Sequence, residues 1–101
     1  QIADGVHGLS NALLDTPWYK VEEGKARLQA VLEASIQEQL SPKELTSSLL
    51  AMLQDRTRPD DSRLPDTGVG IEWERQLSSL FIHAPEREYG TRCSTVLLVD
   101  K

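Results

Sequence analysis

Tyr89-Gly90-Thr91-Arg92-Cys93-Ser94-Thr95-Val96-Leu97-Leu98-Val99-Asp100 reads as a tight turn feeding a buried strand, with a cation at its entrance and small hydroxyl residues ahead of a continuous apolar run. Just upstream, Leu80-Phe81-Ile82-His83 reads as a second strand, and Ala84-Pro85-Glu86-Arg87-Glu88 as its exit loop, so Thr91 to Val99 is the expected partner strand. Two strands alone are marginal in water. The chain is therefore expected to need more sheet than it supplies.

Working outward, Ile71-Glu72-Trp73-Glu74-Arg75-Gln76-Leu77 fits a short helix with Trp73 and Leu77 on one side. Arg56 to Gly70 carries prolines, glycines and acidic or hydroxyl turn formers, which predict a surface loop. A loop of that length in so small a domain is either functional or mobile. Ser41-Pro42-Lys43-Glu44 combines an N-cap serine, a proline at the first helical position and a glutamate three residues after the cap, the signature of a capping box. The helix it starts carries Leu45, Leu49, Leu50, Met52 and Leu53 and fades at Gln54-Asp55, with Met52 as a core filler.

Before it, Val21, Leu28, Val31, Leu32, Ile36 and Leu40 recur at helical spacing between about Lys20 and Leu40, opposite a wet face of Glu22, Lys25, Gln29, Glu33 and Gln37. Thr16 is placed to cap this helix with Pro17 at its first position, and Trp18 to anchor the preceding loop by burial. Almost no residues separate the two helices, which predicts a helical hairpin. Gln1 to Asn11, with Gly5 and Gly8, reads as an extended segment ending in a turn. The order is strand, helix, helix, long loop, short helix, strand, strand. It implies an α+β fold in which a helical hairpin packs on an antiparallel sheet.

A length of 101 residues allows one domain. The net charge of -5 argues against a nucleic-acid partner, because phosphate neutralisation needs a clustered basic surface. Arg56, Arg58 and Arg63 are interleaved with Asp55, Asp60 and Asp61 and read as a solvated loop. Cys93 is the one cysteine, so no intrachain disulfide or thiolate metal cluster can form. That fits a reducing, cytoplasmic setting. No apolar run approaches the roughly 20 residues of a membrane span. The sequence begins at Gln1 without a methionine, from which an excised part of a longer protein is expected, the alternative being loss of an initiator-bearing segment.

Gly8-Leu9-Ser10-Asn11-Ala12-Leu13-Leu14-Asp15-Thr16-Pro17-Trp18, together with Tyr89 to Leu98, resembles the NRDE family, also called the transport and Golgi organisation protein 2 family. The run Gly70-Ile71-Glu72-Trp73-Glu74-Arg75 between them is similar in order and spacing. The resemblance is to the C-terminal part of a single NRDE-type domain and covers residues 1–101. The N-terminal part, with its initial cysteine and Asn-Arg-Asp-Glu motif, is absent. The resemblance implies an N-terminal nucleophile hydrolase-like αββα fold of two stacked sheets between helical layers. Eukaryotic members have been linked to haem trafficking and to Golgi or mitochondrial function.

The resemblance singles out two residues for supporting catalytic roles. Asn11 resembles an asparagine whose amide stabilises an oxyanion near the active cysteine in acylase members of the superfamily. Its alternative is an ordinary Asx turn. Arg92 resembles a family arginine just ahead of a buried strand, where a fixed cation lowers a thiol pKa or holds a substrate carboxylate. Its alternative is a salt bridge orienting the strand. Cys93 reads as a small buried hydrophobe rather than a nucleophile. His7 and His83 are far apart in sequence and do not make a metal site by themselves. No cofactor is expected, although the family's association raises haem ligation by one histidine.

Two functions follow. In one, the parent is a cysteine amidase-like hydrolase acting on a small amide, and this chain, inactive alone, contributes Asn11 and Arg92. In the other, it is a non-catalytic binding or trafficking factor, haem- or secretory-pathway-related, with this segment purely structural. The partners expected are an unidentified small-molecule ligand or substrate, and either the missing N-terminal half or a second copy in a homodimer.

Overall fold

The computed structural model describes residues 2–100. Among them lie three α-helices, two single-turn 3-10 segments and one two-stranded antiparallel sheet, an α+β arrangement.

The first helix, α1 (Tyr19–Gln37), starts later than expected. The Trp18 amide donates to the Thr16 carbonyl (2.8 Å), a tight turn that holds Trp18 extended and leaves Pro17 outside the helix. The Trp18 carbonyl then accepts the Val21 and Glu22 amides, and no side chain caps the end. At the other end Leu40 N–H reaches the Ser35 carbonyl and Gln39 N–H the Ile36 carbonyl, with Gln39 at φ 51°. This is a Schellman motif built on a left-handed residue other than glycine. Residues 38–41, rather than almost none, therefore separate the helices.

The second helix, α2 (Pro42–Leu53), carries the expected capping box: Glu44 N–H donates to Ser41 Oγ, and Ser41 N–H to Glu44 Oε1, both at 3.2 Å. The two helices touch, but cover each other only partly. Val21 and Leu49 are buried, Leu28, Val31, Leu32, Leu50, Met52 and Leu53 are half-buried, and Ile36 is 77% exposed. Leu80 packs over Gly24, its Cδ2 only 3.3 Å from where a side-chain carbon would stand there. Phe81 N–H donates to the Asp55 carbonyl (2.7 Å). The hairpin thus meets the segment leading into the sheet rather than the face of a broad sheet.

The long loop is less free than its composition suggests. Arg63 lies over the Tyr19 ring (4.9 Å), Arg56 over Phe81 (5.3 Å), and Arg58 donates to the His83 carbonyl (3.4 Å). Arg75, on α3 (Ile71–Leu77), grips Asp61 with two parallel bonds of 2.9 and 2.6 Å.

The strands are β1 (His83–Ala84) and β2 (Tyr89–Gly90), paired His83 with Gly90 and Ala84 with Tyr89. Leu80 to Ile82 lie outside the ladder, and Thr91 to Val99 do not form the expected strand. Thr91 N–H still reaches the Ile82 carbonyl, but Ile82 N–H donates to the Thr91 hydroxyl (2.9 Å) where a backbone carbonyl would continue the ladder. Pairing stops there. Beyond it exposure still alternates as in a strand, Leu97 82%, Leu98 44% and Val99 85%. The apolar run pairs with no strand among the described residues. A radius of gyration of 15.0 Å, against about 13 Å for a compact chain of this length, reflects such uncovered segments.

Ser41→Ala removes one half of the capping box and is expected to cost about 1 kcal/mol in urea unfolding. An unchanged unfolding midpoint would show that the box does not hold the start of α2.

Candidate functional site

The cavity of interest has a volume of about 280 Å³ and is walled by segments far apart in sequence. Ser10 and Asn11 come from the N-terminal loop, and Trp18, Tyr19 and Lys20 from the uncapped start of α1. Pro65, Thr67 and Val69 come from the long loop, Glu74, Leu77 and Ser78 from α3 and its end, and Ile82 and Tyr89 from the strand region. The walls are mostly apolar or aromatic, with a few polar groups converging on them, the usual make-up of a ligand site.

Asn11 is held by the loop that carries it. Asp15, in the left-handed region at φ 58°, closes residues 8–15: its N–H donates to the Gly8 carbonyl (2.7 Å), and its Oδ1 accepts Gly8 N–H (2.8 Å). Its Oδ2 bonds His7 Nδ1 (2.6 Å), whose Nε2 meets the Ala3 carbonyl (2.6 Å), and Lys25 Nζ stands 3.3 Å from Oδ1. A side-chain carbon at Gly8 would lie 2.8 Å from Val21 Cγ1, so only glycine lets the loop lie this close to α1. Asn11 itself is exposed at the cavity and forms none of the hydrogen bonds of an Asx turn.

Lys20 and Glu74, which sequence reasoning passed over, are the two charged residues among those lining the cavity. Lys20 is half-buried and forms no ion pair among the described residues, and burial pushes its pKa below the ordinary 10.5. Glu74 is 5% exposed, and its Oε2 accepts both the N–H (2.6 Å) and the hydroxyl (2.9 Å) of Thr67. The one signal for Glu74 in the sequence was an acid three residues before Leu77 on a short amphipathic helix.

Arg92 does not line the cavity, is exposed, and makes no salt bridge among the described residues, so the strand-orienting alternative is not formed here. Cys93 is exposed rather than a buried hydrophobe, because the segment bearing it is not covered by a sheet. It too lies away from the cavity. Both ring nitrogens of His7 are engaged, and His83 is exposed. Among the described residues no group of three or more His, Cys, Asp or Glu side chains is placed to hold a metal ion.

The His7–Asp15 contact makes the loop sensitive to pH. The His7 hydrogen bond, then that from Gly8, holds the Asp15 pKa at about 2 against an ordinary 3.8. The Asp15 bond raises His7 above its ordinary 6.5. Asp15 contributes stability above pH 3.8 that is lost as pH falls towards about 2, and His7 contributes stability below pH 6.5 that is lost as pH rises through its raised value. The loop is tied most firmly between those ordinary values. A proton NMR titration of His7 is expected to give a midpoint above 6.5, returning towards it in Asp15→Asn. A midpoint unmoved by that substitution would mean that the contact is not made in solution.

The family model for Transport and Golgi organisation 2 matches residues 1–101. The chain is 42% identical to the Transport and Golgi organization protein 2 homolog of Bos taurus over 105 residues, 98% of this chain and 36% of that protein. The Homo sapiens homolog is 38% identical over 104 residues with the same coverage, and the Drosophila melanogaster protein 34% identical over 99 residues, 93% of this chain and 32% of that protein. The chain therefore spans about a third of the length of these curated relatives. With the match running from end to end, the chain belongs to the Transport and Golgi organisation 2 family.

Proposed function

We propose that this chain builds one wall of a small-molecule site in a larger protein of its family, with Lys20 and Asn11 taking a polar group and Trp18, Leu77, Ile82 and Tyr89 an apolar body. The observation that carries this reading is the convergence of distant segments on one cavity that holds an ammonium and an amide without partners among the described residues. A desolvated cation of this kind gains when an anion or dipole meets it.

A hydrolase is a second reading, favoured by the position of Asn11 on that cavity. Its amide would stabilise the oxyanion of a small amide's tetrahedral intermediate, and the nucleophile and the rest of an αββα fold would come from sequence outside this chain. Arg92 would join the site only once the run behind it is ordered as a strand. A cytoplasmic setting, and for the binding-only form a trafficking role, belong to the same proposal. No helix of the described residues is long and apolar enough to cross a membrane.

Screening the chain by NMR against small acids, amides and esters is expected to shift resonances of Asn11, Lys20 and Tyr89, with shifts lost in Lys20→Met and no turnover. Hits that map elsewhere would remove the cavity as the site. In the full-length protein, amide turnover that falls about a hundredfold or more in Asn11→Ala would establish the hydrolase. Binding without turnover would leave the binding factor.

The alternating exposure of Val96 to Val99, with no backbone ladder among the described residues, supports a partner strand from the part of the family protein outside this match. Mixing the two polypeptides is expected to give a one-to-one complex by light scattering, with the amides of residues 96–99 protected from hydrogen exchange. A stable homodimer protecting the same amides, or a mixture in which they stay unprotected, would overturn this assignment.

A further inference from the structure

The cavity contains one positive and one negative residue, and they do not pair with each other. Lys20 has no counter-ion among the described residues. Both bonds that Glu74 accepts fall on Oε2, which leaves Oε1 without a partner among the described residues. That oxygen is not sealed off, because the polar side-chain atom that is both sealed and unpartnered among the described residues is Gln76 Oε1. Two opposite charges held apart, each with bonding capacity unused, form a template for a molecule that carries both.

We propose that the cavity recognises a small zwitterion of the α-amino-acid class, its carboxylate on Lys20, its ammonium on Glu74 Oε1, and its apolar side chain against Leu77, Ile82 and Tyr89. This rests on the cavity being a ligand site, and it specifies the ligand's chemistry. A volume of about 280 Å³ lies below the roughly 300–1,000 Å³ of pockets for drug-sized ligands, which suits a metabolite of amino-acid size. The carboxylate restores to Lys20 the solvation that burial removes. The Trp18, Tyr19 and Tyr89 rings offer further contact to an ammonium or an apolar chain. Asn11, exposed at the same cavity, has an amide free to bond the carboxylate's second oxygen.

The test compares L-leucine with 3-methylbutylamine, which lacks the carboxylate, and with 4-methylpentanoate, which lacks the ammonium, by titration of the 101-residue chain with NMR detection. L-leucine is expected to bind about tenfold or more tightly than either analogue. Lys20→Met is expected to bring L-leucine down to the level of the amine, and Glu74→Gln to that of the acid. Because Glu74 is buried and bonded to Thr67, Lys20→Met carries the conclusion if Glu74→Gln does not fold. If 4-methylpentanoate binds as tightly as L-leucine at Asn11, Lys20 and Tyr89, the zwitterion is overturned while the cavity remains a ligand site. If none of the three shifts those resonances while other screened molecules do, only the zwitterion again falls. If nothing shifts them, both readings fall.

Discussion

Asp55 joins the parts that hydrophobic burial alone would leave loosely related. Its backbone carbonyl accepts Phe81 N–H, Oδ1 accepts the Thr57 N–H (3.0 Å) and hydroxyl (2.7 Å), and Oδ2 receives Arg27 Nη2 (2.9 Å). This single residue, two past the end of α2, thereby fixes α1, the start of the long loop and the approach to the sheet. The Thr57 hydrogen bonds, with Arg27 behind them, hold its carboxyl below the usual range. Its side chain is 14% exposed, so the contact is screened less than an ordinary surface pair. Buried apolar side chains among the described residues are few, Val21, Leu49 and Ala84. With so small a core, directional bonds to carboxylates set how the segments lie.

The same device recurs around the cavity. Asp15 closes the loop that carries Asn11, Asp61 holds Arg75 and with it one end of α3, and Glu74 ties the long loop through Thr67. An acidic chain of net charge -5 thus uses its carboxylates as internal acceptors. The Asp15 and Asp61 ion pairs are partly or largely exposed, and such pairs stabilise little one by one. The walls of the cavity are therefore held by bonds at the low-stability end of the structure, where ligand-binding segments are commonly found. Lys20 differs from the other cations near these walls, since Lys25, Arg63 and Arg75 each face a carboxylate or a ring while it does not.

What the sequence made legible was local. The capping box at Ser41, the apolar stripe of α1 as far as Leu32 and the short helix over residues 71–77 all depend on interactions within a few residues, and all form; Ile36 is exposed and Leu40 lies past the end of α1. The start of α1 was misplaced because a three-residue turn at Thr16 competes with the Pro17 signal. The contacts that build the cavity were not legible, for they join residues 20, 74 and 89, and no spacing rule links these. Asn11 was singled out through family resemblance, and the structure puts it on the cavity; Arg92, singled out in the same way, stands apart. Cys93 was read as buried on the premise of a covered strand, and it is exposed because that premise fails.

The same premise bears on the last dozen residues. Val96 to Val99 has the composition of a buried strand and the alternating exposure of one, yet its backbone joins no ladder among the described residues. Leaving Leu97 and Val99 in water forgoes about 1.5–3 kcal/mol for each side chain that full burial would give. Thr91 marks the boundary physically: its hydroxyl takes the Ile82 amide, so β1 can extend no further along this segment. Gly90 adds a second limit, because a side-chain carbon there would stand 2.9 Å from the Ile82 carbonyl oxygen, which makes the crossing too close for any other residue. The sheet is thus short on the side facing β1. Arg92, one residue past that boundary, is therefore carried on backbone outside the ladder, exposed and away from the cavity.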